Sequence, residues 1–227
     1  MTTPVRAAAL AAVTLLLTGC GGGSPTSGGG PGAAAVPAAA TGPHAPGGTR
    51  WTGIDGLVVA VPQGWETVAG TCASPDDREV AIQTGDAAAV RCALARSGNP
   101  AITLSPPGSL GWFPGRGVRC RASTSGPCSA RIGEDDRGFR VTYRGPHAQR
   151  ELEALLASAT AVPQGWVTVP AISYGASDGE SVRILEGAGL VGVPPDVDGP
   201  HYVVGTDPAV GSLVVEGSEV ALVPGDG

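Results

Sequence analysis

Asp207-Pro208-Ala209-Val210-Gly211-Ser212-Leu213-Val214-Val215-Glu216-Gly217-Ser218-Glu219-Val220 is the stretch that organises the C-terminal region. Asp207-Pro208 opens a turn, Val214-Val215 reads as a short strand, and Glu216-Gly217 is a second turn before the returning strand Val220–Val223. Upstream, His201-Tyr202-Val203-Val204 supplies another strand. Further upstream, Ser177-Asp178-Gly179-Glu180 has the form of a capping box, with Ser at the N-cap and Glu three residues on. Val182, Leu185 and Ala188 then share one face of a short helix, and Gly189 in Ala188-Gly189-Leu190 stops it. The expected order is strand, helix, then two or three strands.

These residues resemble the PASTA domain of bacterial cell-wall kinases and penicillin-binding proteins. That family opens on Val-Pro, a few residues and Gly, then Ser/Thr-x-x-Glu and a helix closing in Ala-Gly-Leu. Here these are Val169-Pro170, Gly175, Ser177, Glu180 and Ala188-Gly189-Leu190. It closes on x-Pro-x-x-Gly-x-x-Val-x-x-Gly-Ser-x-Val, which Asp207–Val220 matches closely. The resemblance covers roughly residues 167–224 in one copy, within a PASTA-like domain expected at 167–227, and implies one helix on a small β-sheet. The chain departs from the pattern in three places. The Val-Pro to Gly interval is one residue longer, Gly205-Thr206 replaces Ser-Gln, and the connection from Leu190 to His201 is rich in Pro and Asp. Gly175-Ala176-Ser177-Asp178-Gly179 also fits the Gly-x-Ser-x-Gly of a hydrolase nucleophile elbow. Too little chain follows for the sheet that such an elbow needs, and the hydroxyl is better used capping the helix.

At the other end, Arg6, the apolar stretch Ala7 to Leu17 and Thr18-Gly19 before Cys20 form a three-part export signal over residues 1–19. Leu17-Thr18-Gly19-Cys20 resembles a bacterial lipobox. The resemblance implies cleavage before Cys20, acylation of its thiol with chains such as palmitate, and an extracytoplasmic protein held to the membrane by lipid. Apart from Val36 and His44, residues 21–49 are only Gly, Ala, Pro, Ser and Thr. Such a segment cannot bury enough apolar surface to offset its ordering entropy, so 20–49 reads as anchor plus disordered linker.

Between linker and C-terminal module, residues 50–166 read as an α+β domain. Strands are expected at Gly56–Val61, Glu79–Gln83, Ala89–Leu94, Ala101–Leu104, Val118–Ala122 and Phe139–Tyr143. Ala148, Leu152, Leu155, Leu156 and Ala159 recur at helical spacing, with Pro146 at the first helical position. The expectation is a helix packed on a mostly antiparallel sheet. Ala60-Val61-Pro62-Gln63-Gly64-Trp65 recurs as Ala161-Val162-Pro163-Gln164-Gly165-Trp166, each Gln-Gly marking a turn and the second copy marking the domain junction. Pro-x-Gly-Trp followed by strands and a terminal helix loosely resembles small domains of actinobacterial lipoproteins. Cys72, Cys92, Cys120 and Cys128 are even in number in an exported chain and point to disulfides. Three pairings exist, and the sequence-local one is Cys72 with Cys92 and Cys120 with Cys128.

The chain has no Lys, 14 Arg, three His and a net charge of −6. That balance excludes sequence-independent binding to a nucleic-acid backbone. Three His leave little material for a metal site, and no cofactor motif is present. Residues 167–227 carry one Arg against nine acids, whereas residues 112–150 carry eight Arg against Glu134, Asp135 and Asp136. The latter three read as a solvated hairpin tip. Arg116, Arg119, Arg121, Arg137, Arg140 and Arg144 form a candidate anion-binding surface toward wall polymer or lipid headgroups. The function expected is a non-catalytic binding module at the cell envelope, its partner a wall component or an envelope protein. The competing class is a wall hydrolase or other envelope enzyme with its site in 50–166. Against it, that region has one His, His147, and no paired carboxylates at a recognisable spacing.

Overall fold

Asp55-Gly56, flanked by Trp51–Ile54 and Leu57–Val61, carries positive φ at both positions (52° and 78°). That is the backbone of a two-residue hairpin turn matching the twist of its strands. The computed structural model describes residues 43–84, 99–106, 117–121, 126–134, 137–197 and 201–226, without the side chains of Glu134, Arg137 and Asp226. In chain order the elements are β1 (Thr49–Ile54), β2 (Leu57–Pro62), β3 (Glu66–Gly70), β4 (Glu79–Gln83), β5 (Ala101–Ser105), β6 (Arg119–Cys120), β7 (Cys128–Glu134) and β8 (Arg137–Arg144). Then come α1 (Ala148–Ser158), β9 (Thr160–Ala161), β10 (Trp166–Thr168), α2 (Asp178–Gly187), β11 (Val191–Val193), β12 (His201–Asp207), β13 (Leu213–Val215) and β14 (Glu219–Asp226). The expected strand Ala89–Leu94 lies outside the described residues. No described helix is long and apolar enough to cross a membrane.

The mixed α+β class is as expected. The larger sheet runs β3-β4-β5-β8-β7-β6. It is mixed: β3–β4 and β4–β5 are parallel, and the other three pairs are antiparallel as expected. The chain therefore returns to the same end of the sheet after β3 and after β4. A second sheet, β1-β2-β9, lies alongside. On β7 and β8, Cys128, Ala130, Ile132, Phe139, Val141 and Tyr143 alternate onto one face. Ala148, Leu152 and Leu155 of α1 join them in one core with Val59, Val61, Ile82 and Leu104. The helix begins at Ala148 and not at Pro146. His147 before it is left-handed (φ 56°) and breaks the helical run.

In the C-terminal region Ser177 caps α2 as expected, its Oγ accepting the Glu180 N–H at 3.3 Å. The helix ends in a six-to-one bond from Leu190 N–H to the Leu185 carbonyl, with Gly189 at φ 79°. Around Leu185 a second core gathers Val169, Ile172, Leu190, Val203, Val220 and Leu222. Two small sheets cover it, β10-β13 and β11-β14-β12. β11 had no place in the expected order, since it sits in the connection dominated by Pro and Asp.

The two cores meet around Val210. Val210 is buried in the first core although it belongs to the C-terminal region. Beside it, the Gly53 N–H donates to the Gly211 carbonyl at 3.0 Å and Thr52 bridges to Ser212. Both copies of the echoed hexapeptide form the expected turn. Trp65 N–H donates to the Pro62 carbonyl at 3.2 Å and Trp166 N–H to the Pro163 carbonyl at 3.1 Å. Sheet pairing after the second turn begins at Trp166, opposite Val215.

Candidate functional site

Strand alternation divides the large sheet into two unlike faces. One carries the core under α1. The other carries Ser129 and Arg131 of β7, Arg140, Thr142 and Arg144 of β8, and Thr103 and Ser105 of β5. Arg119 of β6 stands opposite Ser129 and joins this face. Arg131 stands directly opposite Arg140, and Arg144 lies two positions beyond Thr142 on the same strand. Directly opposed like charges destabilise a strand pair, so a sheet tolerates this arrangement best with negative charge nearby.

The face is polar and partly closed. Ser105 is fully buried, and its hydroxyl donates to Gln83 Oε1 at 2.6 Å. Ser129 and Thr142 share a hydrogen bond of 2.8 Å. Loss of water around Arg140 pulls its guanidinium below the ordinary arginine range. It remains charged at neutral pH, as arginines in proteins do. Arg144 Nη1 is buried with no hydrogen-bond partner among the described residues. A buried donor left unmade is costly, so an acceptor arriving there gains more than it would at a solvated arginine.

Of the arginines expected to form this surface, Arg119, Arg140 and Arg144 share the face. Arg121 is exposed just beyond β6. Arg137 opposes Glu134 across the hairpin, but its side chain lies outside the described residues, as do Arg116, Asp135 and Asp136. Arg131 was missing from the expected set. Its signal was the period-two run Cys128, Ala130, Ile132, which leaves Arg131 on the opposite face. Arg50 donates to Thr52 Oγ1 at 2.6 Å and to the Trp65 carbonyl at 2.9 Å, and Arg150 pairs with Glu151 at 2.7 Å.

Cys120 and Cys128, directly opposite on β6 and β7, are joined by a disulfide. It ties the edge strand that carries Arg119 to the rest of the face. Cys72 is also disulfide-bonded, while Cys92 and Cys20 lie outside the described residues. Ser177 has its hydroxyl at the cap of α2. The neighbouring Asp178 Oδ2 meets His201 Nε2 at 3.0 Å, a pair that no spacing in the sequence announced. Its place at the first turn of α2 fixes the start of β12 against the helix.

An arginine-bearing sheet face backed by a helix-covered core makes this, at the level of class, a small mixed α+β protein. No protein-family model, curated protein or solved structure matches the chain.

Proposed function

We propose that the chain is an extracytoplasmic lipoprotein, held to the membrane by acylated Cys20, whose folded part is a non-catalytic binding module for an anionic component of the cell envelope. In this reading the C-terminal region is a PASTA-like module and the arginine face of the large sheet makes the contact. The observation that carries it is the convergence of Arg119, Arg131, Arg140 and Arg144 on one face, with a buried donor of Arg144 unused among the described residues. Residues 167–227, with nine acids and Arg183 alone, repel phosphate- and carboxylate-bearing polymers, which leaves the arginine face as the surface of matching charge.

The anchor is tested by metabolic labelling with a fatty-acid analogue. Wild type is expected to be labelled and Cys20→Ala not, and equal labelling would refute the anchor. The face is tested by sedimentation with purified sacculi. The intact folded part is required, because Val210 completes the first core. Retention is expected at low salt and is expected to fall toward 1 M salt, where screening reaches about 3 Å. Arg119→Gln with Arg144→Gln should remove most of the retained protein. Retention unchanged by salt or by this pair would sink the assignment.

A further inference from the structure

On the far side of the large sheet from the arginine face, a cavity of about 280 Å³ opens between α1, β2, β5 and β8. This volume is at the small end for ligand cavities. Ala60, Ile102 and Leu155 form apolar walls, and Trp65 and Tyr143 line it as a tilted aromatic pair with centroids 6.4 Å apart.

The polar groups of this cavity fall into two sets. Ser158 is spent, since its hydroxyl donates to the Leu155 carbonyl at 2.7 Å and accepts the Ala60 N–H at 2.9 Å. Thr49 is spent on the Pro46 carbonyl at 2.6 Å. By contrast, the Tyr143 hydroxyl and the Trp65 indole N–H make no hydrogen bond to a described residue, and both atoms remain open to solvent. Tyr143 is only 8% exposed. Trp65 is half-buried, and both donors are free to serve a molecule in the cavity, whereas the Trp51 indole is already used on the Pro43 carbonyl at 2.9 Å. Burial first, and then the charge of Glu151, push the Tyr143 phenol up, with Arg150 opposing, so it stays protonated and able to donate at neutral pH. No arginine lines the cavity, and the Glu151 carboxylate does. The lining therefore offers two donors to an acceptor and no cation to an anion, since the Glu151 charge is held by Arg150.

We propose that this cavity binds an uncharged, largely apolar small molecule carrying a carbonyl-type acceptor (ketone, ester or amide), which takes hydrogen bonds from Tyr143 and Trp65 while its apolar body lies along Ala60, Ile102 and Leu155. This site is separate from the arginine face, and its chemistry is opposite: neutral and apolar rather than anionic.

The test uses the full chain carrying Cys20→Ala and the neutral naphthyl ketone dye Prodan, whose emission reports both polarity and hydrogen bonding at its carbonyl. Saturable one-to-one binding with emission shifted to the blue of water is expected. Tyr143→Phe and Trp65→Phe are each expected to weaken binding by about three- to tenfold, the usual net effect of one hydrogen bond. Ala154→Trp, at an exposed helix position on the lining, leaves the core untouched and should abolish binding by filling the cavity. The anionic dye anilinonaphthalene sulfonate is expected to bind at least about tenfold more weakly, because its sulfonate gives up solvation and meets no cation in the lining. Absence of saturable Prodan binding, or binding unaltered by Ala154→Trp, would overturn the site. Equal affinity in Tyr143→Phe and Trp65→Phe would overturn the assignment of the acceptor.

Discussion

Gly211→Ala is expected to lower the thermal midpoint by about 5–10 °C, a loss of about 2–4 kcal/mol for a chain of this size. Two costs add. Gly211 has φ 78°, a conformation that costs a residue with a Cβ about 1–2 kcal/mol. A Cβ there also stands against Ile82 Cδ1 and within 3.1 Å of the Gly53 carbonyl oxygen. Ile82 is packed in the first core and has little room to rotate, so the contact acts as overpacking, about 1–3 kcal/mol. Gly217→Ala separates the two costs. Gly217 has φ 82° but nothing within 4 Å of the added Cβ, so it should show the conformational part alone, about 1–2 kcal/mol. Equal midpoints for the two variants would show that the junction between the cores yields freely.

The second large effect is at Phe139, which is fully buried in the middle of β8 under α1. Phe139→Ala is expected to cost about 3–5 kcal/mol, the transfer of the ring plus the cavity it leaves. In urea the midpoint should fall while the slope of the transition is unchanged, since the same surface is exposed on unfolding. Phe139→Leu keeps most of the volume and should cost less than about 1.5 kcal/mol. If alanine cost no more than leucine, the site would be able to collapse around the gap.

Features written locally were the most legible. The cap at Ser177, the stop at Gly189 and the turns at Gln63-Gly64 and Gln164-Gly165 each depend on residues within one turn of chain, and each is found where expected. β1 went unseen although Asp55-Gly56 marks a hairpin, because Thr52-Gly53 interrupts the apolar run before it. β3 is a half-exposed edge strand, Glu66-Thr67-Val68-Ala69-Gly70, whose pairing to β4 comes from the sheet and not from its own pattern. β7 is hidden by Arg131 and Ser129, which break a run that is apolar only at every second residue. The arginine surface was legible as a charge bias. Which arginines share a face depends on the register that sets Glu134 opposite Arg137, and no local spacing states that register. The aromatic cavity was not legible at all, since Ala60, Ile102, Tyr143 and Leu155 become neighbours only when α1 docks across two sheets.

Val210 has a consequence for the order of events as the chain is made. A polypeptide emerges N-terminus first, so β1 to α1 are present long before residue 210. Their core lacks Val210 until the C-terminal region has been delivered. The early-emerging half is thus kept from completing its packing ahead of the late one. A fold whose first core closes on a later residue postpones its own completion until that residue has been made.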